Sequence, residues 1–191
     1  MYQKKRDKRS IQSSEWIYTA LKDLMSEKDF SKITITDIVN KANLGRTTFY
    51  RNFDSVDDVL KMKCDEKFNE FREYCINYYK KNDLADKSFL TPFLNYWHKN
   101  SEIIELLIKA NRENIIKDCL TEEVKFFINS SSIDEGTVIS SHLNYFIAII
   151  VSNSISILTE WINNGKDIPP DELANIIATQ AKESMQVNLF L

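Results

Sequence analysis

Apolar residues recur at three- and four-residue intervals along most of this chain, and no segment alternates apolar with polar over the length of a strand. The pattern predicts an all-α protein of about nine helices. The first, over residues 10–28, carries Trp16, Ile17, Ala20, Leu21, Leu24 and Met25 as one stripe, with Phe30 as an anchor into the same small core. Ile35, Ile38, Val39 and Ala42 mark a short second helix, and Phe49 and Phe53 mark the inner face of a third that starts near Gly45. A long fourth helix is expected over 56–79, with its stripe running from Val59 and Leu60 to Cys75 and Tyr79. A fifth covers 86–98, and Pro92 should kink or split it. Helices over 102–109 and 112–128 follow, then a polar loop from Asn129 to Ser132. The most apolar helix spans 134–163 and stops at Asn164-Gly165; Pro169-Pro170 opens the last, which runs to about Val187.

Within residues 34–53 the pattern becomes specific. Thr34 and Asp37 have the spacing of a capping box, as do Ser55 and Asp58 further on. Asn43 is one of the few non-glycine types that accepts the left-handed conformation of a sharp turn. The helix after that turn would expose Arg46, Thr47, Tyr50 and Arg51, all hydrogen-bond donors. A short helix, a tight turn and a second short helix with a donor-rich face form the helix-turn-helix design for a DNA major groove.

Charge sharpens this picture. Residues 1–63 hold 13 Lys and Arg against 9 Asp and Glu, a net +4, and the remainder carries −7. A basic front on an acidic body suits nucleic-acid contact at the front alone. Lys4, Lys5, Arg6, Lys8 and Arg9 read as a flexible basic arm over residues 1–9 that would follow phosphates or enter a minor groove. Only three Gly and three Pro in 191 residues favour long helices. Cys64, Cys75 and Cys119 are too few and too widely spaced for a disulfide framework or a zinc site, and fit buried thiols in a reducing cytoplasm. No run approaches 18 consecutive apolar residues and no apolar segment follows the N-terminal charges, so neither a membrane span nor a signal peptide is expected.

The run Thr34-x-x-Asp37-Ile38, then Ala42, Thr48-Phe49-Tyr50-Arg51-x-Phe53, Ser55-x-x-Asp58 and Leu60 resembles the DNA-binding head of the TetR/AcrR transcriptional regulators. The resemblance covers roughly residues 10–62; the rest is similar only in being helical and of suitable length. It implies a helix-turn-helix domain over 10–55 and a ligand-binding and dimerisation domain over 56–191, bridged by the helix 56–79. The candidate DNA-binding residues are Thr34, Thr36, Gly45, Arg46, Thr47, Thr48, Tyr50 and Arg51. Thr34, Thr36, Arg46, Thr47 and Tyr50 fall at positions where the family typically contacts operator phosphates or bases. Four departures stand out: Asn43 takes a turn position usually held by Gly, Gly45 replaces a small hydroxylic residue, Val56 replaces a phosphate-reaching Lys, and Asn52 replaces a frequent His.

The resemblance also implies a small-molecule effector and a palindromic double-stranded operator. Phe71, Tyr78, Trp97, His98, Phe127, His142, Tyr145 and Phe146 are the candidate ligand-binding residues, weighed against plain core packing for each. In the penultimate helix, apolar residues from Val138 to Trp161 cover more than half the circumference, so it needs two partners. A second copy of the chain is the simplest second partner, with Ile176, Ile177, Ala181, Met185 and Leu189 completing a four-helix interface. The competing reading is full burial within one subunit. The function expected is a dimeric regulator, a repressor released by its effector. The alternative is a co-regulator of the same fold that acts through a protein partner with weak or no DNA binding. No catalytic constellation, metal cluster or cofactor-binding motif is present in the sequence, so an enzyme is not expected.

Overall fold

The structure is a computed structural model, and it describes residues 8–81, 89–130 and 142–187, the side chains of 184–187 excepted. Among the described residues there are nine α-helices and no strand: α1 Lys8–Glu27, α2 Ile35–Lys41, α3 Arg46–Asn52, α4 Val56–Lys81, α5 Leu90–Asn100, α6 Glu102–Lys109, α7 Glu113–Ser130, α8 Leu143–Asn163 and α9 Pro170–Val187. The all-α expectation holds. Lys4, Lys5 and Arg6 of the expected arm, Ser131, Ser132, the expected helix start at Asp134, Val138, Ile139 and Leu189 lie outside the described residues, as does the side chain of Met185.

The chain divides into two compact units, Met1–Phe68 with Glu102–Glu122, and Asn69–Ser101 with Glu123–Leu191. Both α4 and α7 contribute residues to each.

In the first unit α1, α2 and α3 pack on one another around Ile17, Leu21, Ile38, Phe49 and Phe53, all fully or nearly fully buried. Trp16 was expected among them and is instead 49% exposed. It lies one residue, about 100°, off the face centred on Ile17, Leu21 and Leu24, and reaches the surface beside Lys41 and Asn43. The same unit takes in α6 and the start of α7 through directed contacts. Lys109 donates to the Met25 carbonyl, Lys22 pairs with Glu102 at 3.0 Å, and Arg112 bonds Asp57 while lying over the Phe30 ring.

Local chemistry sets the helix ends. Thr34 and Asp37 form the predicted capping box: the Asp37 amide donates to the Thr34 hydroxyl at 3.2 Å and the Thr34 amide to the Asp37 carboxylate at 2.8 Å. Lys28 also bonds that carboxylate, at 2.8 Å. The Lys28 hydrogen bond, then those from Thr34, hold the Asp37 carboxyl well below the usual carboxylate range. Ser55 and Asp58 make the second box, with the Ser55 amide and hydroxyl both on the Asp58 carboxylate. Asn43 turns the chain at φ 53°, as its type allows.

At the C-terminal end of α3, Asn52 is only 4% exposed. Its amide oxygen accepts from the Ser10 and Ser14 hydroxyls, and its amide nitrogen donates to the Ser13 hydroxyl and the Thr48 carbonyl. Three serines of α1 and one side chain of α3 thus make a closed polar network inside the head.

In the second unit Phe71 stands at the centre of an aromatic cluster with Phe89, Phe93, Tyr96 and Trp97, ring centroids 5.4–6.1 Å away. α5 packs on α9, tied by Asn95 to Asp171 at 2.8 Å. Pro92 neither kinks nor splits α5. It sits in the first turn, after Phe89 as N-cap, where a backbone N–H would have no partner inside the helix. The expected loop at Asn129–Ser130 is the last turn of α7, with the Ser130 hydroxyl bonded back to the Phe126 carbonyl at 2.7 Å. α8 ends at Asn164-Gly165, where Gly165 takes φ +71° and the Lys166 amide returns to the Trp161 carbonyl. At 21 residues α8 is long and apolar enough, by length and composition, to cross a bilayer. Ser152, Asn153, Ser154 and Ser156 interrupt it, and Ile147, Val151, Leu158 and Trp161 are buried against its own chain.

Two outcomes follow for stability. Asn52→Ala removes the side-chain hydrogen bonds that tie α3 to the serines of α1 and destabilises the protein by about 1–3 kcal/mol in denaturant unfolding. The Asp37 carboxyl, depressed from 3.8, contributes its full stabilisation above that value and loses it as pH falls further. The stability gap between the native chain and Asp37→Asn, read from urea midpoints, is therefore largest at about pH 6 and shrinks as the pH is lowered through about 4.

Candidate functional site

The helix-turn-helix residues are held from behind and open in front. Phe49 is fully buried and packs its ring 5.7 Å from that of Phe53, which fixes α3 against α1. One position on, Tyr50 is 57% exposed, with its ring edge-to-face with Phe49 at 5.8 Å. Arg46, Thr47 and Arg51 are exposed on the same short helix, and Thr48 is half-buried. Arg46 reaches back across the turn, and its guanidinium donates to the hydroxyl of Thr36 in the first turn of α2. That contact joins two of the predicted residues across the turn and leaves the other guanidinium edges facing outward.

Two of the eight differ from the rest. The Thr34 hydroxyl accepts from the Asp37 amide and donates to the Asp37 carboxylate at 2.8 Å, so both its roles are taken by the cap. Gly45 caps α3 by backbone position alone, at φ −81° and ψ 150°, with no side-chain hydrogen bond. A Cβ there would meet only the Thr47 hydroxyl oxygen, at 3.6 Å. The exposed backbone at Gly45 lets an approaching group come close to the amide end of α3. Asn52, visible in the sequence only as a departure, is an internal brace and not a surface donor.

The second unit holds a cavity of about 630 Å³ in the size range of small-molecule sites. Phe127 and Phe146 line it, alongside aliphatic residues such as Val124, Ile150 and Ile157 and the polar Asn153, Ser154 and Ser156. The other six predicted ligand residues lie elsewhere. Phe71 and Trp97 are fully buried in the aromatic cluster, and Tyr78 lies against Tyr74 and Tyr79. His98 is exposed, with its ring stacked on Trp161 at 5.5 Å. His142 is exposed at the N-cap of α8, and Tyr145 is 73% exposed. Ring-bearing residues were the wrong guide to this cavity, because its walls are chiefly aliphatic. Ile149, Ile150, Asn153 and Ile157 of the penultimate helix, part of the apolar surface expected to need two partners, line it with Ile177, and Ile149 is also 59% exposed.

The cysteines are free and buried, as their spacing suggested. Burial pushes the Cys75 thiol up to about 12, so it stays protonated.

Comparison with known proteins fits this geometry. Residues 17–61 match the family of bacterial regulatory proteins known as tetR, and residues 85–183 match a transcriptional regulator C-terminal region of the same family group. The uncharacterized HTH-type transcriptional regulator YxbF of Bacillus subtilis is 25% identical over 179 residues, covering 90% of this chain and 45% of that protein. The dhaKLM operon transcriptional activator DhaS of Lactococcus lactis is 32% identical over 72 residues, 38% of each chain. The chain thus spans less than half the length of the curated relatives it matches. The crystal structure of Lin0861 from Listeria innocua shares the fold, with a TM-score of 0.74, 20% identity and 93% of each chain covered. With one family match inside the head and another over more than half of the chain, the protein belongs to the TetR family of transcriptional regulators.

Proposed function

We propose that this regulator is a homodimer that binds a palindromic double-stranded operator and represses until a small molecule occupies its second unit. The observation that carries the DNA part is the exposed face of α3. Arg46, Thr47, Tyr50 and Arg51 have no part in the core, yet they stand on a helix whose inner side is rigidly buried. Arg46 and Thr47 are assigned to base edges; Thr36, Thr48, Tyr50, Arg51 and the amides at Gly45 are assigned to phosphates. Thr34 is assigned a contact through its backbone, since its hydroxyl is committed to the cap. Thus Met1–Phe68 contains the DNA-binding domain and the second unit the ligand-binding and dimerisation domain.

The dimer rests on α8 and α9. Tyr145, Ile149 and Ile176 are large apolar side chains left 73%, 59% and 48% exposed, which a second copy would cover. Leu158 and Trp161 of the same apolar set are buried within the chain, on the face that serves the helix's other partner. Two-fold symmetry would put the two α3 helices about 34–36 Å apart, one turn of DNA. Effector release follows if the ligand binds more tightly to a conformation whose heads do not fit that spacing. DhaS is named as an activator, so the direction of control is read by in vitro transcription from the chain's own promoter, with and without the protein.

In gel shifts at fixed salt on the DNA upstream of its own gene, Arg46→Ala and Tyr50→Ala are expected to lose specific binding while their circular dichroism and size are unchanged. Retained affinity in both variants would remove α3 from the interface. Light scattering is expected to give twice the 22.4 kDa chain mass at micromolar concentration, falling toward one chain in a Tyr145→Glu, Ile149→Glu double variant. A native chain that elutes as a monomer contradicts the dimer.

A further inference from the structure

The walls of the cavity in the second unit have a chemistry that selects what can enter. Among the described residues thirteen line it; ten are apolar, Asn153, Ser154 and Ser156 are polar and neutral, and none is charged. Among the described lining residues, an ionised carboxylate, phosphate or ammonium would meet no counter-charge to offset the water it loses.

Two charged residues flank the lining residue Val124, and neither is itself part of the lining: Lys125 is exposed, and Glu123 is already paired. Glu123, beside the lining residue Val124, is 3% exposed and accepts both nitrogens of Arg72, at 2.7 and 2.6 Å. That guanidinium is also covered by the Phe126 ring, 4.5 Å from its centre. Pairing neutralises both charges against each other, in a bidentate geometry that leaves little to give a ligand. Ser154 is the converse case. It is 2% exposed and lines the cavity on the same helix as Ile150 and Ile157, so it brings a neutral polar group to an otherwise apolar wall. A buried hydroxyl with an apolar surround is a ready partner for one neutral polar group on a ligand.

We infer that the cavity takes an uncharged molecule with an apolar body and one hydrogen-bonding group, of the class of long-chain alcohols, aldehydes, esters or neutral aromatic amines, and excludes their anionic counterparts. This rests on the reading of the second unit as the effector domain. It adds the ligand's charge state, with Ser154 as its polar contact.

The test uses the full chain and two probes that differ by one sulfonate, N-phenyl-1-naphthylamine and 8-anilino-1-naphthalenesulfonate, in a fluorescence titration without DNA. The neutral probe is expected to bind at least ~10-fold more tightly than the sulfonate, and to be displaced by 1-decanol at least ~10-fold better than by decanoate at pH 8. Ser154→Ala is expected to weaken decanol by ~2–10-fold. Ile150→Trp, which fills the cavity, should abolish binding of the neutral probe; Ile157→Phe serves the same end if the first variant does not fold. Equal or tighter binding of the anionic member of either pair overturns the inference, as does neutral-probe binding that survives in a folded cavity-filling variant. No binding of the neutral probe at all overturns it too. Because no operator is present, a chain that binds the neutral ligand but never releases DNA upholds the ligand class and defeats only the regulatory reading.

Discussion

Asn52 ends α3 with its side chain turned inward, and both polar atoms of its amide are occupied by partners from two helices. Phe49 and Phe53 supply the apolar contact that brings α3 onto α1, but such contact is non-directional and would tolerate a small slide or rotation. The amide does not tolerate one. Any shift of α3 along α1 takes the buried Asn52 amide away from the Ser10, Ser13 and Ser14 hydroxyls, and an unmet buried polar group costs more than a met one gains. The outward direction of Arg46 and Tyr50 is therefore set by a side chain on the opposite side of the helix.

Much of the head was legible because its signals are local. A capping box needs only two residues three apart, and Thr34 with Asp37 and Ser55 with Asp58 both form as their spacing implies. Asn43 takes its positive φ for reasons confined to one residue. The failures have a different origin. Trp16 misled because periodicity marks a face but not its edges. Pro92 misled because its effect depends on where the helix begins, and three residues decide between a break and an ordinary first turn. Asn52 stood out only as a departure from a frequent His, because the partners that make it internal lie some forty positions earlier in the chain.

The second unit was legible as helices and hardly at all as a site. Aromatic side chains attracted the expectation, yet Phe71, Trp97, Phe93 and Tyr96 pack on one another and leave no room between them. The open space lies instead against α8, whose isoleucines a sequence cannot sort into core, cavity wall and outer surface. The structure uses that helix for all three: Val151 and Leu158 in the core, Ile150 and Ile157 on the cavity, Tyr145 toward the outside. An apolar excess in one helix signals several neighbours and does not say which kind.

Both α2 and α3 are seven residues long, and a helix of that length has almost no stability by itself in water. Each is held by its packing on α1 and on the other, so the order of the two helices is coupled. The donors on α3 therefore meet a target already arrayed, and the entropy of arranging them is lost during folding and not at the moment of encounter.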